Sequence, residues 1–586
     1  MTDFDTDVLI VGTGPTGATA ALALATYGVR AHMVSRWNWL ANGPRAHITN
    51  QRAVEVLRDL GVQEEAAKYA TPWELMGDTL FATSLTGDEI VRLRTWGTGE
   101  ERIGDYVQGS PCPFMDVPQP YLEPVLVKNA AERGAGLSLN TEYRSHVQDD
   151  DGVTVTLRDH SLGGPRDYTV RARYLVGADG ARSKIAEDIG LTLNGTLARA
   201  GTVYVLFEAD LSRYVAHRPS ILYWFMTPSA NFGEIGMGLL RAIRPWHTWI
   251  AGFGYDMAAG EPDLSEETLR AKIASFVGDP DVDVDIRSAS TWFVNQAVAT
   301  TFSKGRVFCG GDAVHRHPPS SGLGSNTSMQ DAFNLAWKLA YVVKGHADPS
   351  LLDSYSLERV PVGEQVVARA NQSRVDYAPL NECFRTTGEA DPVAAGLAKL
   401  RDPGPQGVEV REALRKALEL KNYEFNAQGV ELNQRYESGA VVPDPGAGPE
   451  EFARDPQLYL QATTRPGAKL PHAWLVDEQG RRVSTLDVTG KGMFSLVTGL
   501  AGTAWVEAAE KLDLPFLRSV VVGAKGFEDP YLAWARLREV HEAGAVLVRP
   551  DGYVAWRCPD AVRDAADARR QLEQVLEAVL GSGYRS

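Results

Sequence analysis

One stretch constrains this chain more than any other. Residues 7–12 (DVLIVG) run directly into Gly12-Thr13-Gly14-Pro15-Thr16-Gly17, a GxGxxG sequence. A continuous apolar run ending in glycine predicts a buried parallel strand. Residues 18–27 read as an alanine-rich helix closed by Gly28, and residues 29–35 as the next strand. Together they make a βαβ opening within about 30 residues. In that frame Gly12 allows the tight turn, Gly14 lets a pyrophosphate approach the backbone, and Gly17 permits close helix–strand packing. The helix N-terminus, with Pro15 and Thr16 in its first turn, favours the anion. The competing reading is a plain glycine turn in an α/β sheet. One feature is missing: the second strand ends in Ser35 and Arg36 instead of the acidic residue that binds a ribose hydroxyl. Arg36 is either a contact to an adenosine hydroxyl or phosphate, or a solvated surface arginine.

With 586 residues the chain exceeds one hydrophobic core, so two or three domains are expected. The net charge of −16, from 75 acidic and 59 basic residues, argues against nucleic acid or an anionic membrane as main partner. No apolar run of about 18 residues is present, and the acidic N-terminus does not resemble a signal peptide. Cys112, Cys309, Cys383 and Cys558 are far apart and form no CxxC or metal-ligand spacing, so no metal is expected. Reduced thiols in a cytoplasm are the simplest reading.

Further along, helices are predicted at 50–60 and 120–133, and strands at 136–143, 153–157 and 173–177. Residues 201–255 alternate apolar and polar side chains and are rich in Tyr, Trp and Phe, which predicts an antiparallel sheet. Residues 306–310 return to the buried-strand pattern, and 330–343 form a long amphipathic helix that residues 326–328 can cap. A helical, charged stretch follows Tyr355 and ends at the Pro/Gly linker 443–449. Beyond it, strand-like runs at 473–477, 494–499, 519–523 and 545–549, the last turning at Pro550-Asp551-Gly552 into 553–557, describe a small α/β domain.

Two more loops complete the pattern. Gly177-Ala178-Asp179-Gly180-Ala181-Arg182-Ser183 follows one strand and Gly310-Gly311-Asp312-Ala313-Val314-His315 another. In order and separation, GxGxxG, DG and GD match the three fingerprints of the group A flavoprotein aromatic hydroxylases, which this sequence resembles over nearly its whole length. The resemblance implies FAD, with Asp312 on its ribitol and Asp179 and Arg182 near FAD and the pyridine nucleotide. NADPH or NADH would be the reductant and O₂ the co-substrate. It also implies a Rossmann-like FAD domain of the p-hydroxybenzoate hydroxylase type (1–75, 110–190 and 285–355) and an antiparallel-sheet substrate domain (76–109 and 191–284). A helical connection (356–442) and a thioredoxin-like C-terminal domain (443–586) complete the α/β chain. Members are commonly homodimers or homotetramers. The stretches PRAHITNQR, SPCPFMDVPQPYLEPVLVKNAA, DLSRYVAHRPSILYW and GVELNQRYESGAVVPD are most similar to ortho-hydroxylases of chlorophenols and, less closely, of 2-hydroxybiphenyl.

Within residues 311–338 the loop around Gly324, Ser325 and Asn326 offers backbone N–H groups to the flavin's pyrimidine oxygen. Pro318 and Pro319 stiffen the wall beside the isoalloxazine, Pro318 toward substrate. Arg45, Gln51 and Gln119 resemble FAD-contacting positions of the family. Oxygen chemistry then comes from the flavin, whose reduced form gives a C4a-hydroperoxide with O₂. The protein must supply a base for the phenol and a dry pocket. His47 is the first candidate, since imidazole is poised near neutral pH; the alternative is a structural histidine. Asp116 is the second, or a turn-forming aspartate before Pro118. Arg241 offers positive charge to reduced flavin or nicotinamide, or makes a surface salt bridge. Tyr223, Trp224 and Phe225 line the substrate cavity, or belong to an aromatic core.

The expected reaction is therefore ortho-hydroxylation of a phenol to a catechol. Open alternatives are the same chemistry on 2-hydroxybiphenyl or a polyketide phenol, and a non-catalytic flavin protein whose redox state controls a partner. A flavin-dependent halogenase is disfavoured, because Trp246-His247-Thr248-Trp249 lacks the Ile-Pro ending of WxWxIP.

Overall fold

The computed structural model describes residues 4–585 apart from 42, 162, 228–234, 385–388, 390 and 524–525. Part of the predicted 201–255 sheet, at 228–234, therefore lies outside the described residues.

The opening βαβ unit is the strand Thr6–Val11, the helix Pro15–Thr26 and the strand Ala31–Val34. The first strand is buried throughout, and it pairs in parallel with Ala31–Val34 on one side and Arg166–Gly177 on the other. Val307–Cys309 and Gly136–Ser138 extend the parallel set. One register row decides the architecture: Val34 pairs with Val11, Val11 with Gly177, and Gly177 with Cys309. Adjacent strands thus end level. Each of the three motifs begins where its strand stops, so all three loops emerge side by side. Ligands of open α/β sheets bind at this carboxyl edge.

Helix Pro15–Thr26 packs between Gly324–Val343 and Gln119–Glu132. Its alanine side chains are short enough to bury almost completely. The helix expected at 50–60 spans Gln51–Asp59, and the Asn50 side chain caps it by accepting from Ala53 N at 3.0 Å. The capping role expected of 326–328 is corrected. The helix starts at Gly324, which puts those residues inside its first turns.

The second sheet has seven strands, in the order Asp285–Phe293, Gly201–Glu208, Thr248–Tyr255, Gly238–Arg244, Leu222–Phe225, Asp78–Ala82, Glu89–Arg94. Helix Glu266–Val277 covers one face with Ile273 and Phe276. The expected boundary at 284 is nine residues early, because Asp285–Phe293 pairs antiparallel with Gly201–Glu208 as this sheet's edge strand.

The C-terminal sheet runs Leu517–Val521, Phe494–Thr498, Ala545–Val548, Val554–Cys558, with one parallel and two antiparallel pairings. Helices Thr503–Leu512 and Ala565–Leu580 pack together against it. This is the βαβ–ββα order of a thioredoxin fold. Its core is continuous with that of the first domain: Phe494 meets Trp337 at 5.9 Å between ring centroids, and Phe516 meets Tyr341 at 5.4 Å. Among the described residues no helix is long and apolar enough to cross a membrane.

Candidate active site

The seat for a dinucleotide is built by close approach of backbone. Gly12 has φ +111°, and a Cβ there would lie 2.1 Å from the carbonyl oxygen of Ala178 in the DG loop. Gly311, at φ +64°, would place a Cβ 2.3 Å from Thr16 Oγ1. The GxGxxG, DG and GD loops therefore pack directly on one another. Gly14 differs: among the described residues the only group within 4 Å of its absent Cβ is Glu123 Oε1, at 3.8 Å. That face is open, as a pyrophosphate approach requires, and the residues present fit FAD.

The other expected contacts fall into two groups. Asp312 is exposed at the GD loop, as is Pro319 further along; Arg45 and Arg36 are exposed too, with the Arg36 guanidinium 4.7 Å from the Trp37 ring. Pro318 is buried, and its carbonyl faces His317 Nδ1 at 2.8 Å. Gly324 and Ser325 open the long helix, where backbone N–H groups have no partner within the helix. Several side chains are already committed within the protein. Asp179 closes its own turn, accepting from Ser183 Oγ at 2.5 Å and Lys184 N at 2.9 Å. The Asn326 amide donates to Ile48 O and accepts from Asn50 N, both at 2.9 Å. Gln119 Nε2 donates to Glu123 Oε1 at 2.5 Å. Gln51 departs furthest from expectation. It is buried, its nitrogen donates to the Tyr106 and Cys112 carbonyls, and its oxygen accepts from Gln428, so both its donors are committed within the protein and only acceptor capacity is left on its oxygen.

The three residues singled out for chemistry meet on one oxygen. His47 Nδ1 and Arg241 Nη2 each lie 3.1 Å from Asp116 Oδ1. Two short strands, Ile48–Thr49 and Met115–Asp116, pair antiparallel, and Val117 N donates to His47 O at 2.7 Å. This ribbon belongs to the first domain. Arg241 comes from the strand Gly238–Arg244 of the second sheet, so the trio spans the two domains. Asp116 Oδ2 accepts from Thr71 Oγ1 at 2.8 Å, and Asp116 O accepts from Thr71 N at 2.9 Å. Burial pushes the Asp116 carboxyl up, to about 7, against the pull of the Thr71 hydrogen bond and the Arg244 charge. Burial also draws the Arg241 guanidinium down, but a group with so high a starting value stays cationic, with Asp116 as its counter-ion. The side chain of Asp116 is 0% exposed and that of His47 15%, so His47 is the accessible member.

The reading of Tyr223, Trp224 and Phe225 as one wall is corrected by strand geometry. Side chains alternate between faces, so three consecutive residues cannot line one cavity. Tyr223 lies on Trp249 at 6.2 Å, with its hydroxyl donating to Arg218 O, and Phe225 stacks on Phe276 at 5.6 Å. Both belong to the helix-covered core. Trp224 shares the opposite face with Leu222, the register partner of Arg241, and rests on Tyr377 at 4.9 Å.

Thr71 and Asp331 were not visible as site residues in the sequence. Thr71 lies in a loop before Pro72 and has no periodic or motif context. Asp331 accepts from Gly311 N at 3.0 Å, and a signal did exist: an acidic residue inside an apolar helix pattern needs a buried partner.

Comparison with known proteins places the chain in a family. A family model for an FAD-binding domain matches residues 5–370, and one described as aromatic-ring hydroxylase, C-terminal, matches 463–583. A 2,4-dichlorophenol 6-monooxygenase of Cupriavidus pinatubonensis is 48% identical over 98% of this chain and 96% of its own. A phenol 2-monooxygenase of a Pseudomonas species is 44% identical over 96% and 91%. The crystal structure of the flavin-dependent monooxygenase PieE with FAD and substrate is 44% identical and superimposes with a TM-score of 0.93, covering 99% of this chain and 100% of that one. The chain belongs to the FAD-dependent aromatic-ring hydroxylases.

Proposed function

We propose that this enzyme hydroxylates a phenol ortho to its hydroxyl group, giving a catechol, with a chlorophenol such as 2,4-dichlorophenol as the leading substrate. The carrying observation is the convergence of His47 and Arg241 on the buried Asp116 carboxylate. The named activities of the relatives at 48% and 44% identity point the same way. Bound FAD, reduced by NADPH or NADH, supplies the oxygen-transfer chemistry with O₂.

The protein's share is to make the ring electron-rich by taking the phenol proton. With Asp116 ionised, the His47 Nδ1 hydrogen is donated to it, which leaves Nε2 as the acceptor for that proton. Asp116 holds this tautomer and stabilises the imidazolium that forms. Its own oxygens are occupied by His47, Arg241 and Thr71, so it acts as a positioning residue and His47 as the base. Arg241 lies 3.1 Å from the same carboxylate and favours its ionised form, in opposition to the burial that raises it to about 7.

The test is turnover of 2,4-dichlorophenol, 2-phenylphenol and phenol under air with each reductant, counting catechol against hydrogen peroxide. Catechol formation coupled to NAD(P)H oxidation is expected. Flavin reduction with peroxide as the sole product for all three phenols would overturn the reading.

A pH dependence follows. Protonating Asp116 removes the stabilisation of imidazolium, so kcat/KM should rise through pH ~7 on the acid side. Thr71→Val removes a hydrogen bond that favours the ionised form, and the acid limb should move up by about one pH unit. A limb that stays in place would separate Thr71 from Asp116.

A further inference from the structure

The C-terminal domain has no CxxC pair, yet it sends one hairpin turn deep into the FAD domain. The turn of residues 549–553 joins the strands Ala545–Val548 and Val554–Cys558. Arg549 and Tyr553 are almost wholly buried, and so is Asp551. Arg549 Nη1 and Nη2 donate to Glu358 Oε1 and Oε2 at 2.6 and 2.9 Å, while its Nε and Nη2 grip Asp551 at 3.0 and 2.6 Å. Glu358 also receives Lys338 Nζ at 2.8 Å, Asn334 Nδ2 at 2.7 Å and Ser438 Oγ at 2.7 Å. The turn is tied to the other side as well, since Arg52 Nη2 donates to Asp551 O at 2.8 Å.

Glu358 is followed directly by Arg359 on the helix Ser354–Val375. Neighbours on a helix point about 100° apart, so this pair reaches two places at once. Arg359 Nε donates to Asp331 Oδ1 at 2.7 Å. Asp331 Oδ2 receives Gly311 N at 3.0 Å and faces His315 Nε2 at 2.8 Å. Arg359 Nη1 also donates to Gln434 Oε1 at 2.9 Å and Tyr436 OH at 3.0 Å. These two residues return to the turn: Tyr553 OH donates to Gln434 Oε1 at 3.2 Å, and the Tyr436 and Tyr553 rings stack at 4.1 Å. Buried charges are held only where every partner is present. The turn therefore helps to set where Arg359, and then Asp331, can sit.

We propose that the C-terminal domain serves as a brace for the flavin seat: its 549–553 turn, through Glu358 and Arg359, fixes Asp331, and Asp331 fixes the GD loop that presents Asp312. The proposal rests on FAD binding and is independent of which phenol is the substrate.

The test measures FAD affinity of the full-length protein by titrating flavin-stripped enzyme with FAD, alongside its melting temperature. Arg549→Met should raise the FAD dissociation constant at least 10-fold at a temperature where the protein is folded. Arg549→Lys, which keeps the charge, should give a smaller rise and decides the matter if the Met variant does not fold. Leu475→Ala is the control, because Leu475 packs with Val497 and Val546 in a cluster of the C-terminal domain that is separate from the core shared with the first domain. It should lower the melting temperature while leaving the dissociation constant within twofold. Asp331→Asn should weaken FAD binding, and adding Arg549→Lys to it should produce little further loss, since both act through one path. Unchanged affinity in folded Arg549→Lys, or an equal loss in Leu475→Ala, would overturn the proposal.

Discussion

Replacing Asp116 by Asn should leave a folded, yellow protein whose coupled hydroxylation falls by about 10²–10⁴-fold, the range that a positioned proton-transfer system contributes. The substitution is nearly isosteric and acts on one oxygen that both His47 Nδ1 and Arg241 Nη2 approach at 3.1 Å. An amide cannot offset an imidazolium charge, and it leaves a buried guanidinium without a counter-ion. The flavin seat lies on separate loops, so reduction by NAD(P)H should persist and peroxide should replace catechol. The measurements are FAD content by absorbance, NAD(P)H consumption, and the catechol-to-peroxide ratio. A catechol yield per NAD(P)H within twofold of the parent would remove Asp116 from the mechanism. Asn keeps the size of the carboxyl and its amide oxygen can still accept from Arg241 Nη2, so the local packing is retained.

The second large effect is expected at Gly12. Gly12→Ala should yield chain that binds no FAD and is recovered largely insoluble. The left-handed backbone alone costs a non-glycine residue about 1–2 kcal/mol, which a large chain can absorb. The added Cβ cannot be absorbed, because it would meet Ala178 O at 2.1 Å and Ala178 C at 2.6 Å. Neither strand can retreat, since Thr6–Val11 and Arg166–Gly177 are paired along their length. Gly14→Ala is the contrast. Among the described residues its Cβ would have only Glu123 Oε1 within 4 Å, at 3.8 Å, so the chain should fold with weakened FAD binding. Solubility, melting temperature and flavin content of the two variants separate a glycine needed for packing from one needed for ligand approach. Equal behaviour of both would show that the two positions do not differ in this way.

The flavin frame was readable in the sequence because each of its parts is local. A strand, a glycine turn and a helix lie within a few residues of one another, and their spacing carries the geometry. His47, Asp116 and Arg241 were readable as chemical types in suggestive places. That all three share one carboxylate oxygen was not, because it depends on a two-strand ribbon and a sheet from another domain. Thr71 was missed for the same reason: its two hydrogen bonds span 45 residues. For Tyr223 and Phe225 the sequence left a cavity wall and an aromatic core open, and the period of the strand, with their contacts to Trp249 and Phe276, separates the two. The boundary near 284 was misplaced because Asp285–Phe293 is an exposed edge strand, whose polar pattern resembles a loop. Gln51 was carried over by resemblance, and three hydrogen bonds to the chain itself use both its donors and part of its acceptor capacity.

Mounting Arg241 on the second sheet and its counter-charge on the other domain has an evolutionary consequence. Positions of that sheet can change while His47 and Asp116, both carried by the first domain, stay undisturbed. Arg241 is the exception: it is the rivet between the two parts, and a lineage that loses it must find another cation for a carboxylate sealed from water.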